Sequence, residues 1–161
     1  MNKKILQVEY SEFSNLTELE NSQVSLINKS IEIAEKAYSP YSKFPVGAAV
    51  LLDNGAVYAG SNQENISFPA GTCAERTVLN YVHSNFPENK IRMIAITALK
   101  SMSSVPITAC GFCRQVLMEM EQNQGENIQL IFHKLGGTTY VFESAASLLP
   151  LAFDDAYLKG A

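Results

Sequence analysis

The chain has 161 residues, is 47% hydrophobic, and carries 12 basic against 16 acidic side chains, for a formal net charge of −4. That length suits one domain, which buries roughly two-thirds of its unfolded surface and needs no disulfide staples. The scattered lysines and arginines argue against nucleic acid as a partner, and no stretch approaches the ~18 apolar residues of a membrane span. The short apolar run behind Lys3 and Lys4 falls below the roughly 7–15 residues of a secretory leader, so a cytoplasmic protein acting on a small ligand is expected.

Residues 1–22 read as an N-terminal extension to a single domain over 23–161. The alternation in "ILQVEY" suits an extra edge strand and a solvated arm equally. From Ser25, Ile27, Ile31, Ala34 and Tyr38 recur at helical spacing, and Pro40 is expected to end that helix. "VGAAVLLDNGAVYAGS" reads as two strands joined at Asn54-Gly55, a pair that favours a type I′ turn. Helical periodicity returns from Cys73 to about Phe86, through Val78, Leu79 and Val82. "IRMIAITAL" is nearly continuous in apolar residues, as a strand buried on both faces would be. Gly111 to about Gln122 reads as a helix with Val116, Leu117 and Met120 inward. "IQLIFH" and "TTYVFE" are two more strands around Gly136-Gly137, and "SAASLLP" is a short closing helix. This order implies an α/β fold: three α/β/α layers around a mixed five-stranded sheet.

Three cysteines carry the chemistry. Cys110 and Cys113, in "TACGFCRQVL", stand two residues apart at a predicted helix start. Such a pair serves either as a redox dithiol, whose thiol pKa a helix N-terminus lowers, or as half of a tetrahedral metal site. Packing as small apolar residues is the bland third reading. Cys73, in "SFPAGTCAERTVL", also begins a helix and breaks the tie, since two helix starts facing one point bring three thiolates to one ion. Three protein ligands leave a fourth position open, which marks a catalytic zinc. Glu75, two residues on, stands where a proton shuttle belongs. Three thiolates would blunt the metal's acidity; two helix N-termini, each about half a positive charge, and Arg76 offset them.

"CAER" and "ACGFCRQ" match the three-cysteine variant of the zinc nucleobase deaminase signature. With "AYSPYSKFPVGAAV", "GSNQENISF" and "LLPLAF" in the same order, the chain from about Leu26 to Phe153 resembles the small cytidine deaminases of nucleoside salvage. The resemblance implies one zinc per chain on Cys73, Cys110 and Cys113, with Glu75 as proton shuttle. It implies that Asn62 and Glu64 bind ribose, Phe44 contacts the base, the Ala74 N–H meets the pyrimidine O2, and the Thr108 carbonyl lies near the leaving amine. It also implies a homotetramer with shared sites, in which Phe153 and Phe68 reach a neighbour's pocket. The apolar tail of Leu148, Leu149, Leu151, Phe153 and Tyr157 fits such docking, since a terminal segment frays unless it is tied down.

Two departures bear on the substrate. Ala109 stands where the family has proline, and Phe68 where it often has tyrosine. Hydrolytic deamination of cytidine and deoxycytidine in pyrimidine salvage is the expected activity, and deamination of another aminated or modified nucleoside is the nearest rival. A thiol oxidoreductase using Cys110 and Cys113 leaves Cys73, Glu75 and Arg76 without a purpose. A zinc-stabilised binding module would tolerate loss of Glu75. His83 and His133 are expected at the surface or at strand ends, away from the metal.

Overall fold

Alternation decides which side of a sheet each strand residue faces. Along Val46–Leu52 (β2), Ile91–Ala98 (β4) and Gln129–Lys134 (β5), one set joins a single cluster: Ala48, Val50, Leu52, Ile94, Ile96, Leu130 and Phe132. The intervening Ala49, Ala95 and Ile131 join a second cluster on the opposite face. Both faces are apolar, so both need a cover. Asn21–Ala34 (α1) covers one with Leu26 and Ile27. Ala74–Asn85 (α2) and Gly111–Gln124 (α3) cover the other with Val78, Leu79, Val82 and Leu117. The computed structural model, which describes residues 1–154, therefore has the three expected α/β/α layers. Tyr157 lies outside the described residues.

The sheet has six strands, not five. With Ser11–Phe13 (β1), Val57–Ser61 (β3) and Thr139–Phe142 (β6), the order is β1-β6-β5-β4-β2-β3. β4 and β5 run parallel and the other neighbours antiparallel. The sixth strand comes from the N-terminal extension, but not from "ILQVEY". Ile5, Leu6 and Val8 are exposed and outside the ladder, whereas Ser11 pairs with Val141 and Phe13 with Thr139. Tyr10 lies 4.9 Å from Tyr140 and 5.1 Å from Phe142 between ring centroids, so an aromatic contact fixes where pairing begins.

Local chemistry moved three boundaries. α1 starts at Asn21, ahead of Ser25, because the Glu20 N–H donates to Gln23 Oε1 at 3.0 Å in a reciprocal cap. It ends at Ala34, well before Pro40; the Tyr38 N–H is drawn instead to the Asn62 carbonyl at 3.1 Å. The β2–β3 turn is not type I′. Only Gly55 has positive φ there (83°), and its N–H donates to the Leu52 carbonyl at 3.0 Å. A type I turn closed by a left-handed glycine and one extra residue meets the same twist requirement. Gly47 is required for packing, since a Cβ on it would lie 2.0 Å from the Ser30 carbonyl oxygen of α1. Among the described residues, no helix is long and apolar enough to cross a membrane.

Candidate metal centre and active site

Two helices start at the same point. Cys73 caps α2 and Cys110 caps α3, both in extended backbone. The Cys73 carbonyl accepts from the Thr77 N–H at 3.0 Å and from Thr77 Oγ1 at 3.1 Å; the Cys110 carbonyl accepts from the Arg114 N–H at 2.9 Å. These bonds hold both cap residues still. Cys113, one turn into α3, is fully buried beside them. The three sulfurs lie within 4.8 Å of one another, Cys73–Cys110 at 3.9 Å and Cys110–Cys113 at 3.6 Å. Thiolates about 2.3 Å from one tetrahedral zinc stand about 3.8 Å apart, so the spacing and the donor set fit that ion. Among the described residues, no other group of three potential ligands converges in this way.

The charge around the sulfurs is arranged to match. The Cys73 thiol is pulled down to about 5, first by hydrogen bonding with Cys113 and then by Arg76 and Cys110. Cys113 is driven the other way, because its proton is held by the Cys73 sulfur and by burial. The Cys73 thiolate thus forms readily and the Cys113 thiol resists, which is the condition that a bound cation reverses. Arg76 Nη2 approaches the Cys73 sulfur at 4.0 Å, and the guanidinium lies 5.9 Å from the centre of the Phe112 ring. Glu75 is only 6% exposed. Burial pushes its pKa up, and the Cys73 charge adds to the effect. A buried carboxyl beside the sulfurs is placed to take and give a proton there. Ala74 is the buried first residue of α2, and the first N–H groups of a helix lack intrahelical partners.

A second loop is fastened to the first through the backbone. Gln63 and Thr72 exchange N–H···O bonds of 2.9 and 2.8 Å, and the Glu64 N–H donates to the Tyr38 carbonyl at 2.8 Å. Thr72 precedes Cys73, so Asn62 and Glu64 are registered against the metal ligand. Asn62 accepts from the Val46 N–H at 2.8 Å and donates to the Phe44 carbonyl at 3.0 Å. It therefore also clamps the segment that presents Phe44, which follows Lys43 in left-handed conformation at φ 55°. Glu64 Oε2 accepts from the Tyr41 and Ser42 N–H groups at 2.9 and 3.2 Å. Hydrogen bonding from Ser42 holds its pKa below the usual carboxylate range, so it is an anion at neutral pH. Glu64, Tyr41, Ser42 and Phe68 line one open concavity, with the Tyr41 and Phe68 rings edge-on at 6.0 Å.

Thr108 and Phe153 are both exposed, Thr108 on the loop before Cys110. Phe153 is 63% exposed and its carbonyl accepts from Gln115 Nε2 at 2.8 Å; it lines no part of the Glu64 concavity. Two side chains that tie α3 to the segments beside it were not singled out in the sequence. Arg114 donates to Ala109 O at 2.7 Å, Thr108 Oγ1 at 3.0 Å and Leu148 O at 3.1 Å. Glu121 is a buried carboxylate that accepts from the Ile128, Ala145 and Ala146 N–H groups and from Ser144. The signal for Arg114 was its place directly after Cys113; Glu121 left none, since an acidic residue on a helix reads as solvated. His83 is exposed on α2, and His133 stands at a strand end, one residue before the close of β5, but is 3% exposed and bonded through Nδ1 to Thr139 Oγ1 at 2.9 Å. Its strand lies inside the sheet between β4 and β6, which buries His133 although Lys134 after it is only half-buried.

The comparisons with known proteins agree with this geometry. Residues 20–124 match the family described as cytidine and deoxycytidylate deaminase zinc-binding region. A cytidine deaminase of Halalkalibacterium halodurans is 43% identical over 95 residues, covering 59% of this chain and 69% of that protein. A cytidine deaminase structure from Burkholderia pseudomallei superposes with a TM-score of 0.70 at 35% identity, covering 81% of this chain and 98% of that one. One from Mycobacterium tuberculosis gives 0.62 at 32% identity, covering 81% and 95%. A match over most of the chain, centred on the segment that holds both cysteine motifs, places this protein in the cytidine and deoxycytidylate deaminase zinc-binding family.

Proposed function

We propose that this chain catalyses the hydrolytic deamination of cytidine and deoxycytidine to uridine and deoxyuridine, releasing ammonia, in pyrimidine salvage. One observation carries the reading: three thiols at tetrahedral spacing beside a carboxyl buried two residues after the first of them. Cys73, Cys110 and Cys113 would hold zinc, which when bound would supply the Lewis acidity that makes water a nucleophile toward C4 of the pyrimidine. Glu75 takes a proton from the attacking water and gives it to N3, then takes the second proton from the hydroxyl formed at C4 and gives it to the departing amine. One carboxyl serves both steps because each transfer returns it to the state that the next requires. Arg76 holds the Cys73 sulfur. The Ala74 N–H faces the pyrimidine O2 and the Thr108 carbonyl faces the amine. Asn62 and Glu64 take the sugar hydroxyls, and the Glu64 anion disfavours a 5′-phosphate. Phe44, Phe68 and Phe153 supply apolar contacts to the base and sugar.

The test is the fall in ultraviolet absorbance when zinc-loaded protein meets cytidine, with cytosine, deoxycytidine and modified pyrimidine nucleosides in parallel. Glu75→Gln should keep its zinc and lose roughly 10²–10⁴-fold in turnover or more. A variant that keeps more than about a tenth of the rate would remove Glu75 from the shuttle role. Equal turnover of cytosine and cytidine would remove Asn62 and Glu64 from the ribose.

The same reading makes the enzyme a homotetramer with sites shared between chains. Phe68 at 75%, Leu151 at 89% and Phe153 at 63% are large apolar groups exposed at the surface of this chain. Sedimentation should give a species heavier than one chain, and activity should fall on dilution as it dissociates. A monomer with undiminished turnover would rule this out.

A further inference from the structure

The Thr108–Cys110 peptide carries a substrate-facing carbonyl and a metal ligand, yet no regular element holds it. β4 ends at Ala98, and the chain from there to Cys110 has no helix or strand. Met102 and Val105 on the way are exposed. Ala109 has no ring to fix its own φ, and its N–H makes no hydrogen bond among the described residues. What reaches this peptide is one side chain from the far side of the cap. Arg114 Nε donates to the Ala109 carbonyl at 2.7 Å, Nη2 to Thr108 Oγ1 at 3.0 Å and Nη1 to the Leu148 carbonyl at 3.1 Å, while its backbone N–H donates to the Cys110 carbonyl at 2.9 Å.

We propose that Arg114 is the positioning residue of this site, setting the Thr108–Ala109–Cys110 peptide against α3 and joining it to the closing segment at Leu148. A guanidinium is planar and its donors keep fixed relative directions, so the acceptors it binds move together. Thr108 and Ala109 are held on one side and Leu148 on the other. The closing segment is itself fixed to α3 at both ends. Glu121 caps the 3-10 turn Ala145–Leu148 through the Ala145 and Ala146 N–H groups, and Gln115 takes the Phe153 carbonyl. Displacing that segment therefore pulls on the same guanidinium that places Cys110. Lysine cannot replace it, because one ammonium on a flexible stem does not span three acceptors in fixed geometry.

The consequence for turnover rests on the deaminase reading; the consequence for the metal does not. Arg114→Lys and Arg114→Ala are compared with Gln124→Ala in the full-length, zinc-loaded protein. Gln124 bonds both the Ile91 N–H and carbonyl at the other end of α3, so its loss lowers stability away from the site. Zinc release to an excess of a chromogenic chelator is followed without substrate, and kcat and KM are measured with cytidine. Both Arg114 variants should release zinc roughly tenfold faster and lose roughly ten- to hundredfold in kcat, as small misplacements at reacting groups do, with KM changed less. Gln124→Ala should melt at a lower temperature with release and kcat as in the parent. If Arg114→Ala does not fold, Arg114→Lys decides. Parental release and kcat in Arg114→Lys would overturn the proposal, as would a Gln124→Ala variant that matched it in both. If the parent proves inert toward cytidine, the deaminase reading fails and zinc release alone judges Arg114.

Discussion

Glu121→Gln tests how the closing segment is held, and its cost can be worked from the contacts. The carboxylate is 7% exposed and accepts four donors: Ile128 N and Ala145 N at 2.7 Å each on Oε2, Ala146 N at 3.1 Å and Ser144 Oγ at 2.5 Å on Oε1. A glutamine keeps one acceptor oxygen. Its better orientation leaves that oxygen on Ile128 and Ala145 and turns the NH₂ toward Ala146 and Ser144. The Ser144 hydroxyl can rotate to accept, but the Ala146 N–H then faces another donor. One backbone bond is lost and two lose their charge assistance, a sum of about 2–4 kcal/mol. Glu121→Ala strands all four donors and should cost about 4–6 kcal/mol. Urea unfolding of the zinc-loaded protein reads this as a lower midpoint with unchanged slope. A loss under about 1 kcal/mol for Glu121→Gln would refute the convergence of four donors on one buried anion.

Two further outcomes follow from the same structure. Burial lowers the pKa of His133, so the unfolded chain binds its proton at higher pH than the native one does. Stability from this residue is present above the unfolded value near ~6.5 and is lost as pH falls below it, by at most about 1.4 kcal/mol per pH unit; His133→Gln should flatten that part of the stability–pH curve, and an unchanged slope would contradict it. Cys113→Ala should lose zinc and activity while keeping its far-ultraviolet dichroism, because the apolar clusters on both sheet faces do not depend on the metal; zinc at parental occupancy would remove Cys113 from the ligand set.

The layers were legible because both signals they rest on are local. Strand alternation and the apolar run at 92–99 require two covered faces, and helical stripes at Val78, Leu79, Val82 and Leu117 supply one of the covers. The metal ligands were legible because cysteine is rare and each motif begins a helix. What was lost depends on distant partners. The sixth strand is set by Tyr10 meeting Tyr140 and Phe142, and the end of α1 by Tyr38 reaching Asn62; neither partner is near in sequence. Glu121 gave no signal in the sequence, and His133, expected at the surface or at a strand end, stands one residue from the end of β5 but is buried. Only the fold brings Ser144 to one and Thr139 to the other.

The paired N–H···O bonds between Gln63 and Thr72 make a closed neck, and the chain from 64 to 71 is the loop beyond it. The neck joins the loop's two ends to each other, directly before Cys73. Phe68 and the 3-10 turn Phe68–Ala70 sit on that loop, at the wall of the concavity that Glu64 lines. The neck thus lies between the cysteine cluster at the start of α2 and a loop that forms one wall of the concavity. Libraries confined to residues 65–71 should yield new nucleoside preferences in proteins that still fold and still load zinc.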